Sequence, residues 1–128
     1  MQSGLYTALQ IKGLIIDHEE LSQAQRANLE EESRPNTDEV YCLLKPAQIE
    51  FQSYPFEWSY NQWRKSILVY LRINHIALKY GMILKDASPY NFYLTGGKAM
   101  MFDTSSFMFF KVNDSWIAYR QFCEEFLS

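Results

Sequence analysis

The longest periodic stretch of the chain runs from Trp58 to the glycine at position 81, and it does most to restrict the fold. Trp58, Trp63, Ile67, Leu68, Leu71, Ile76 and Leu78 recur at a spacing that suits one apolar helix face, with no Pro or Gly until Gly81. A long central helix is predicted here, opening near Glu57-Trp58 and ended by Gly81. Glu57 would then sit at the positive end of the helix dipole.

Shorter elements surround that helix. Leu5, Leu9, Ile11 and Leu14 predict a short helix over residues 3–14, with Ser3 as N-cap and Gly13 as its stop. Residues 14–16 read as a brief strand. Residues 21–39 are polar and acidic with only Leu21 and Leu29 as large apolar side chains, which predicts a mobile loop. Residues 40–44 and 49–51 read as two strands joined by a turn at Pro46.

After the long helix, residues 82–85 read as a strand and Asp86-Ala87-Ser88-Pro89-Tyr90-Asn91 as a loop of turn-forming residues. Residues 92–94 and 99–102 flank Thr95-Gly96-Gly97-Lys98, whose glycine pair supplies the positive φ angles of a tight hairpin turn. Residues 107–112 read as another extended piece. Asn113-Asp114-Ser115 would cap a closing helix running from Trp116 toward Leu127. The expectation is a single α+β domain over residues 1–128, with short antiparallel strands and a hairpin around a long central helix.

Composition narrows the function classes. With 12 Lys and Arg against 15 Asp and Glu, the chain lacks the basic bias that drives binding to nucleic acid. Cys42 and Cys123 stand far apart without a CxxC, so reduced thiols are expected rather than a disulfide framework or a zinc site. No apolar run approaches the roughly 20 residues that span a bilayer, and no signal segment opens the chain, so a cytoplasmic protein without membrane contact is expected.

Asp86, Asn91 and Asp103 form the pattern that bears chemistry. A loop with Asp and Asn leads into a hairpin, and the return strand carries a second carboxylate back toward that loop. Two carboxylates and an amide oxygen are the ligand type a hard cation such as Mg²⁺ takes alongside phosphate oxygens. The structural alternative is that Asp86 and Asn91 make side-chain turns while Asp103 caps a strand end. For the chain's role, a pocket shared by the three side chains favours a phosphate-binding module, and dispersed or internally bonded groups favour a non-catalytic accessory domain. His18, beside Glu19 and Glu20, suits either a metal or, as the preferred reading, a hydrogen-bonded corner, and His75 reads as a packed or surface helix residue.

Leu84-Lys85-Asp86-Ala87-Ser88-Pro89-Tyr90-Asn91 and Met101-Phe102-Asp103 resemble the catalytic-loop and metal-binding motifs of the protein-kinase-like superfamily, especially its aminoglycoside and choline kinase branch. The resemblance implies a partial kinase-like fold with Asp86 as catalytic base, Asn91 and Asp103 as Mg²⁺ ligands, Lys85 on the cofactor side and ATP as cofactor. Lys85 stands where kinases commonly have Arg. No Gly-rich loop is visible upstream, and the small-lobe Lys and Glu have only Lys45 and Glu57 as candidates, neither in a matching motif.

Ser3-Gly4-Leu5-Tyr6, His18-Glu19-Glu20, Tyr54-Pro55-Phe56-Glu57-Trp58-Ser59, residues 84–91 and Phe102-Asp103-Thr104-Ser105-Ser106-Phe107 are also similar to a bacterial family of nodulation-protein-like proteins. That resemblance implies the N-terminal part of a longer protein, followed by a SAM-dependent methyltransferase-like domain. Two functions are therefore expected as alternatives: a kinase-like nucleotide or phosphate-binding module, or a non-catalytic accessory domain for the downstream methyltransferase-like partner. The run Phe107-Met108-Phe109-Phe110 fits either a partner surface, including a homodimer, or the core.

Overall fold

The computed structural model describes residues 4–27 and 42–128. The chain divides into two compact units, residues 1–16 with 49–128 and residues 17–48. The fold is α+β, with short antiparallel strand pairs and one long helix.

The first unit is organised by that helix. It follows α1 (Leu5–Ile11), and we label it α3 (Tyr60–Lys79) in chain order. Ser59 caps it: the Gln62 N–H donates to Ser59 Oγ at 3.4 Å, and the Ser59 N–H donates to Gln62 Oε1 at 2.8 Å. This reciprocal pair satisfies two donors that a helix start otherwise leaves open. The helix therefore begins after Trp58, not at Glu57-Trp58 as the sequence predicts. Pro55–Glu57 forms a separate 3-10 turn, and the Glu57 carboxylate accepts the Tyr54 N–H at 2.7 Å. Gly81, at φ 70°, ends the helix in the left-handed conformation that favours glycine.

The buried stripe of α3 differs from the predicted one. Ser66, Tyr70, Ile73, Asn74, Ile76 and Ala77 face inward, whereas Leu68, Leu71 and Leu78 are exposed. Two polar residues belong to the buried face because each has a partner. Ser66 Oγ donates to the Trp63 carbonyl at 2.7 Å, and Asn74 Oδ1 accepts the Leu84 N–H at 3.0 Å.

Two antiparallel ribbons pack on α3. In one, β3 (Met82–Leu84) pairs with β6 (Phe107–Phe109), so that Leu84 faces Phe107. In the other, β4 (Phe92–Thr95) and β5 (Lys98–Met101) form the predicted hairpin around Gly96 at φ 52° and Gly97 at φ 75°. Positive φ at both turn positions matches the twist of the flanking strands. The predicted strand over residues 14–16 reduces to one parallel bridge: Ile16 N–H donates to the Met101 carbonyl at 2.9 Å, and Met101 N–H to the Leu14 carbonyl at 3.0 Å.

The outward edge of β3 is closed by side chains. Asn74 takes the Leu84 N–H, and Trp116 Nε1–H donates to the Leu84 carbonyl at 2.8 Å. That bond holds Trp116 outside the closing helix, so α4 spans Tyr119–Phe126 instead of starting at Trp116. Phe122 and Phe126, one turn apart on α4, pack on Tyr70 with centroid separations of 5.4 Å each, the first stacked and the second tilted. Fully burying one such ring is worth about 1.5–3 kcal/mol.

In the second unit, β1 (His18–Glu20) pairs antiparallel with β2 (Leu44–Pro46), matching His18 to Pro46. The predicted turn at Pro46 is thus a strand end, and residues 49–51 are not in a strand. Pro46 faces His18 at a position where the ladder needs no N–H, and the next rung is made by the Ala47 N–H, which donates to the Asp17 carbonyl at 2.8 Å. Part of the predicted loop over residues 21–39 is the short helix α2 (Gln23–Ala27), opened by a reciprocal Ser22–Gln25 pair. Residues 28–39 of that loop lie outside the described residues, as do Ser3 and residues 40–41 of the predicted strand.

Candidate functional site

The site begins where β3 ends. Lys85 N–H donates to the Ser106 carbonyl at 2.8 Å, which extends the ribbon by one residue and sets Asp86 just beyond it. The chain then turns through Ala87, which is buried, and a 3-10 turn at Pro89–Asn91. Ser88 Oγ caps this turn by accepting the Tyr90 N–H at 3.4 Å. The turn brings the Asn91 side chain back onto its own loop.

Asp86 is half-buried, and both of its carboxylate oxygens are engaged. Asn91 Nδ2–H donates to Oδ2 at 3.1 Å, and Gln121 Nε2–H donates to Oδ1 at 2.8 Å. The Tyr70 hydroxyl reaches the same residue from α3, donating to the Asp86 carbonyl at 3.1 Å. Burial, with a smaller contribution from the Asp86 charge, pushes the Tyr70 phenol well above its usual range. It stays a neutral donor.

Asp103 lies at the open end of the hairpin. Phe102 N–H donates to the Asn91 carbonyl at 3.0 Å, continuing the β4–β5 ladder past the register pair Phe92–Met101. Asp103 is therefore one residue from a direct backbone bond to Asn91. Its own side chain turns to the following loop. Oδ1 accepts the Ser105 N–H at 2.8 Å and the Ser105 hydroxyl at 2.7 Å, and Oδ2 accepts the Ser106 hydroxyl at 2.5 Å.

Burial works against ionising Asp103, but the bonds from Ser106 and Ser105 and the nearby Lys85 ammonium outweigh it. The carboxyl is held below the usual aspartate range. The loop is anchored on its far side, where the Tyr6 hydroxyl donates to the Thr104 carbonyl at 2.5 Å.

The structure thus joins Asp86 to Asn91 through their side chains, Asn91 to the Asp103 strand through the backbone, and Lys85 to Asp103 through charge. Gln121 is the residue that sequence reasoning missed. Its Oε1 accepts the Ala87 N–H at 3.0 Å while its Nε2 serves both Asp86 and, at 3.1 Å, Glu125 Oε1. The only hint in the sequence is its place beside Phe122 on a helix whose ring face must turn inward. The two small-lobe candidates have other partners: Lys45 approaches Glu19 at 3.9 Å, and Glu57 holds the Tyr54 N–H.

The side-chain oxygens of Asp86, Asn91 and Asp103 are carboxylate or amide, the chemistry that a hard divalent cation accepts, and no thiol or imidazole takes part. Among the described residues, no group of three or more His, Cys, Asp or Glu is arranged to hold a metal by itself. A cation at this place would need phosphate or water oxygens to complete its shell.

No protein-family model matches the chain, and no solved structure matches it. Over 85 residues, 66% of this chain, the sequence is 31% identical to nodulation protein NoeA of Rhizobium meliloti (strain 1021). The match spans 18% of that relative's length. Among the described residues, no helix is long and apolar enough to cross a membrane.

Proposed function

We propose that the chain is a kinase-like module that binds the phosphates of a nucleotide through Mg²⁺ and does not itself transfer a phosphoryl group. The observation that carries this reading is the grouping of Asn91, Asp103 and Lys85 at the open end of the hairpin, while the internal bonds of Asp86 and Asp103 are what the accessory-domain alternative expects. The Asn91 and Gln121 amides each bond one oxygen of Asp86, so a substrate hydroxyl would have to share a carboxylate that is already engaged and held in place, which disfavours its use as a base. Asn91 donates through its nitrogen, which leaves its Oδ1 as a metal-ligand candidate, and Asp103 stays ionised beside Lys85.

Asn91 and Asp103 would hold the cation, and Lys85 would meet phosphate charge. Bound there, magnesium would neutralise and orient phosphate oxygens. Calorimetry on the full chain tests the reading. ATP with Mg²⁺ is expected to bind saturably, to lose that binding when the metal is omitted, and to lose it again in Asp103→Ala. Binding by Asp103→Ala at the affinity of the parent chain would refute the assignment.

A second reading has its own observation. In the run 107–110, Phe107 is buried but Phe109 is 78% exposed, with Val112 nearby at 84%. An apolar edge of this kind suits an accessory domain that packs on another domain or on a second copy. A downstream methyltransferase-like domain is the partner this reading names. It expects no nucleotide affinity, and it expects Phe109→Asp to abolish association with that domain or to convert a dimer to a monomer in gel filtration.

A further inference from the structure

At the turn end of the β4–β5 hairpin, a cleft of about 330 Å³ opens against the end of α1 and the middle of α3. Lys12, Lys65, Arg72 and Lys98 line it, and no acidic side chain does. Acidic residues outnumber basic ones by 15 to 12 in this chain, yet a third of its Lys and Arg gather at this one place. Like charges brought together without a counter-charge repel one another, and a bound anion relieves that repulsion.

The placement follows from the sequence. Lys65, Leu68, Val69 and Arg72 fall at i, i+3, i+4 and i+7 on α3, so they share one stripe. Lys98 is the first residue after the glycine turn, and Lys12 directly follows α1. Lys65 is fixed in place, its Nζ donating to the Gly97 carbonyl at 2.7 Å. Among the described residues, Lys12, Arg72 and Lys98 form no ion pair. The floor between them is apolar: Leu14 and Ala99 are each 4% exposed, and Val69 is half-buried.

We propose that this cleft binds a phosphate ester, its phosphate among Lys12, Arg72 and Lys98 and its apolar portion on Leu14, Val69 and Ala99. A volume near 300 Å³ is at the lower end for small-molecule sites, and a few convergent charges over an apolar floor is their usual composition. The site is separate from the proposed nucleotide-phosphate site. Asn91 and Asp103 lie at the open end of the hairpin, roughly 13 Å away along four strand residues. No metal ligand is needed here, because the cations come from the protein.

The ester has two sources, a soluble phosphomonoester or the headgroup of an anionic lipid. The full chain, free of magnesium, is titrated with phenyl phosphate and with inorganic phosphate under NMR detection, and separately sedimented with vesicles containing phosphatidic acid. Phenyl phosphate is expected to saturate, with shifts at Gly13, Gly97 and Lys98, at least fivefold more tightly than inorganic phosphate.

The Arg72→Gln, Lys98→Gln double variant changes only exposed side chains and is expected to weaken that binding at least tenfold. Asp103→Ala is expected to leave it unchanged. Binding to vesicles alone, lost in the double variant, assigns the ester to a lipid. The proposal is overturned if neither probe saturates, if the double variant binds as the parent does, or if inorganic phosphate binds as tightly as phenyl phosphate.

Discussion

Gln121 on α4 grips the loop of Asp86 with both ends of its amide, donating to Asp86 Oδ1 at 2.8 Å and accepting the Ala87 N–H at 3.0 Å. A side chain 35 positions away in sequence therefore fixes the carboxylate at the centre of the candidate site. Helix and loop are held as one piece.

Replacing Gln121 by Leu leaves the Ala87 N–H without an acceptor inside a residue that is fully buried. The expected cost is about 1–3 kcal/mol, read from urea unfolding. Gln121→Glu keeps the acceptor but places a negative charge against Asp86 and Glu125. Like charges raise carboxyl pKa values in the folded state, so this variant is expected to be destabilised at neutral pH and to regain stability as pH falls toward 4. A flat pH profile for Gln121→Glu would contradict the arrangement.

Asp103 carries a pH signature of the opposite sign. Its carboxyl is held below the usual 3.8, so its contribution to stability is present above that value and lost as pH falls through the lower folded-state pKa. A carboxyl NMR titration is expected to place the Asp103 midpoint below 3.8, and Ser106→Ala is expected to move it upward. The stability gap between the parent chain and Asp103→Asn should close in the same acid range.

Leu84 offers a test of how the edge of β3 is closed. Asn74→Ala removes the acceptor of a buried N–H and is expected to cost about 1–3 kcal/mol. Trp116→Phe keeps a ring but removes the donor to the Leu84 carbonyl, at an expected cost of about 0.5–1.5 kcal/mol. Both groups act on one residue, so the double variant is expected to deviate from the sum of the singles. Strict additivity in urea unfolding would argue against a shared role.

The hairpin was legible because Gly96-Gly97 leaves the backbone few choices, and the long helix because nothing between Ser59 and Gly81 interrupts it. The inward face of that helix was not. Ser66 and Asn74 are buried for the sake of hydrogen bonds made in the fold, which apolar spacing does not register, while Leu68 and Leu71 turn outward.

The same limit applies at the site. The spacing of Asp86, Asn91 and the hairpin announced the approach of the Asp103 strand, since ladder register follows from turn length. It did not announce that Asp103 would bond to Ser105 and Ser106, or that Gln121 would reach Asp86, because such pairings depend on where α4 docks. Pro46 misled for a local reason: a turn-forming residue also fits the end of a two-stranded ribbon.

The pairing of β3 with β6 bears on the order of assembly during synthesis. β3 leaves the ribosome 23 residues before the strand that completes it, as Leu84 faces Phe107 only once the hairpin between them has emerged, whereas Asn74 has already been made. A nascent chain that has reached only the hairpin thus holds β3 by the helix alone. Trp116, arriving last, latches a strand whose other partners are already in place.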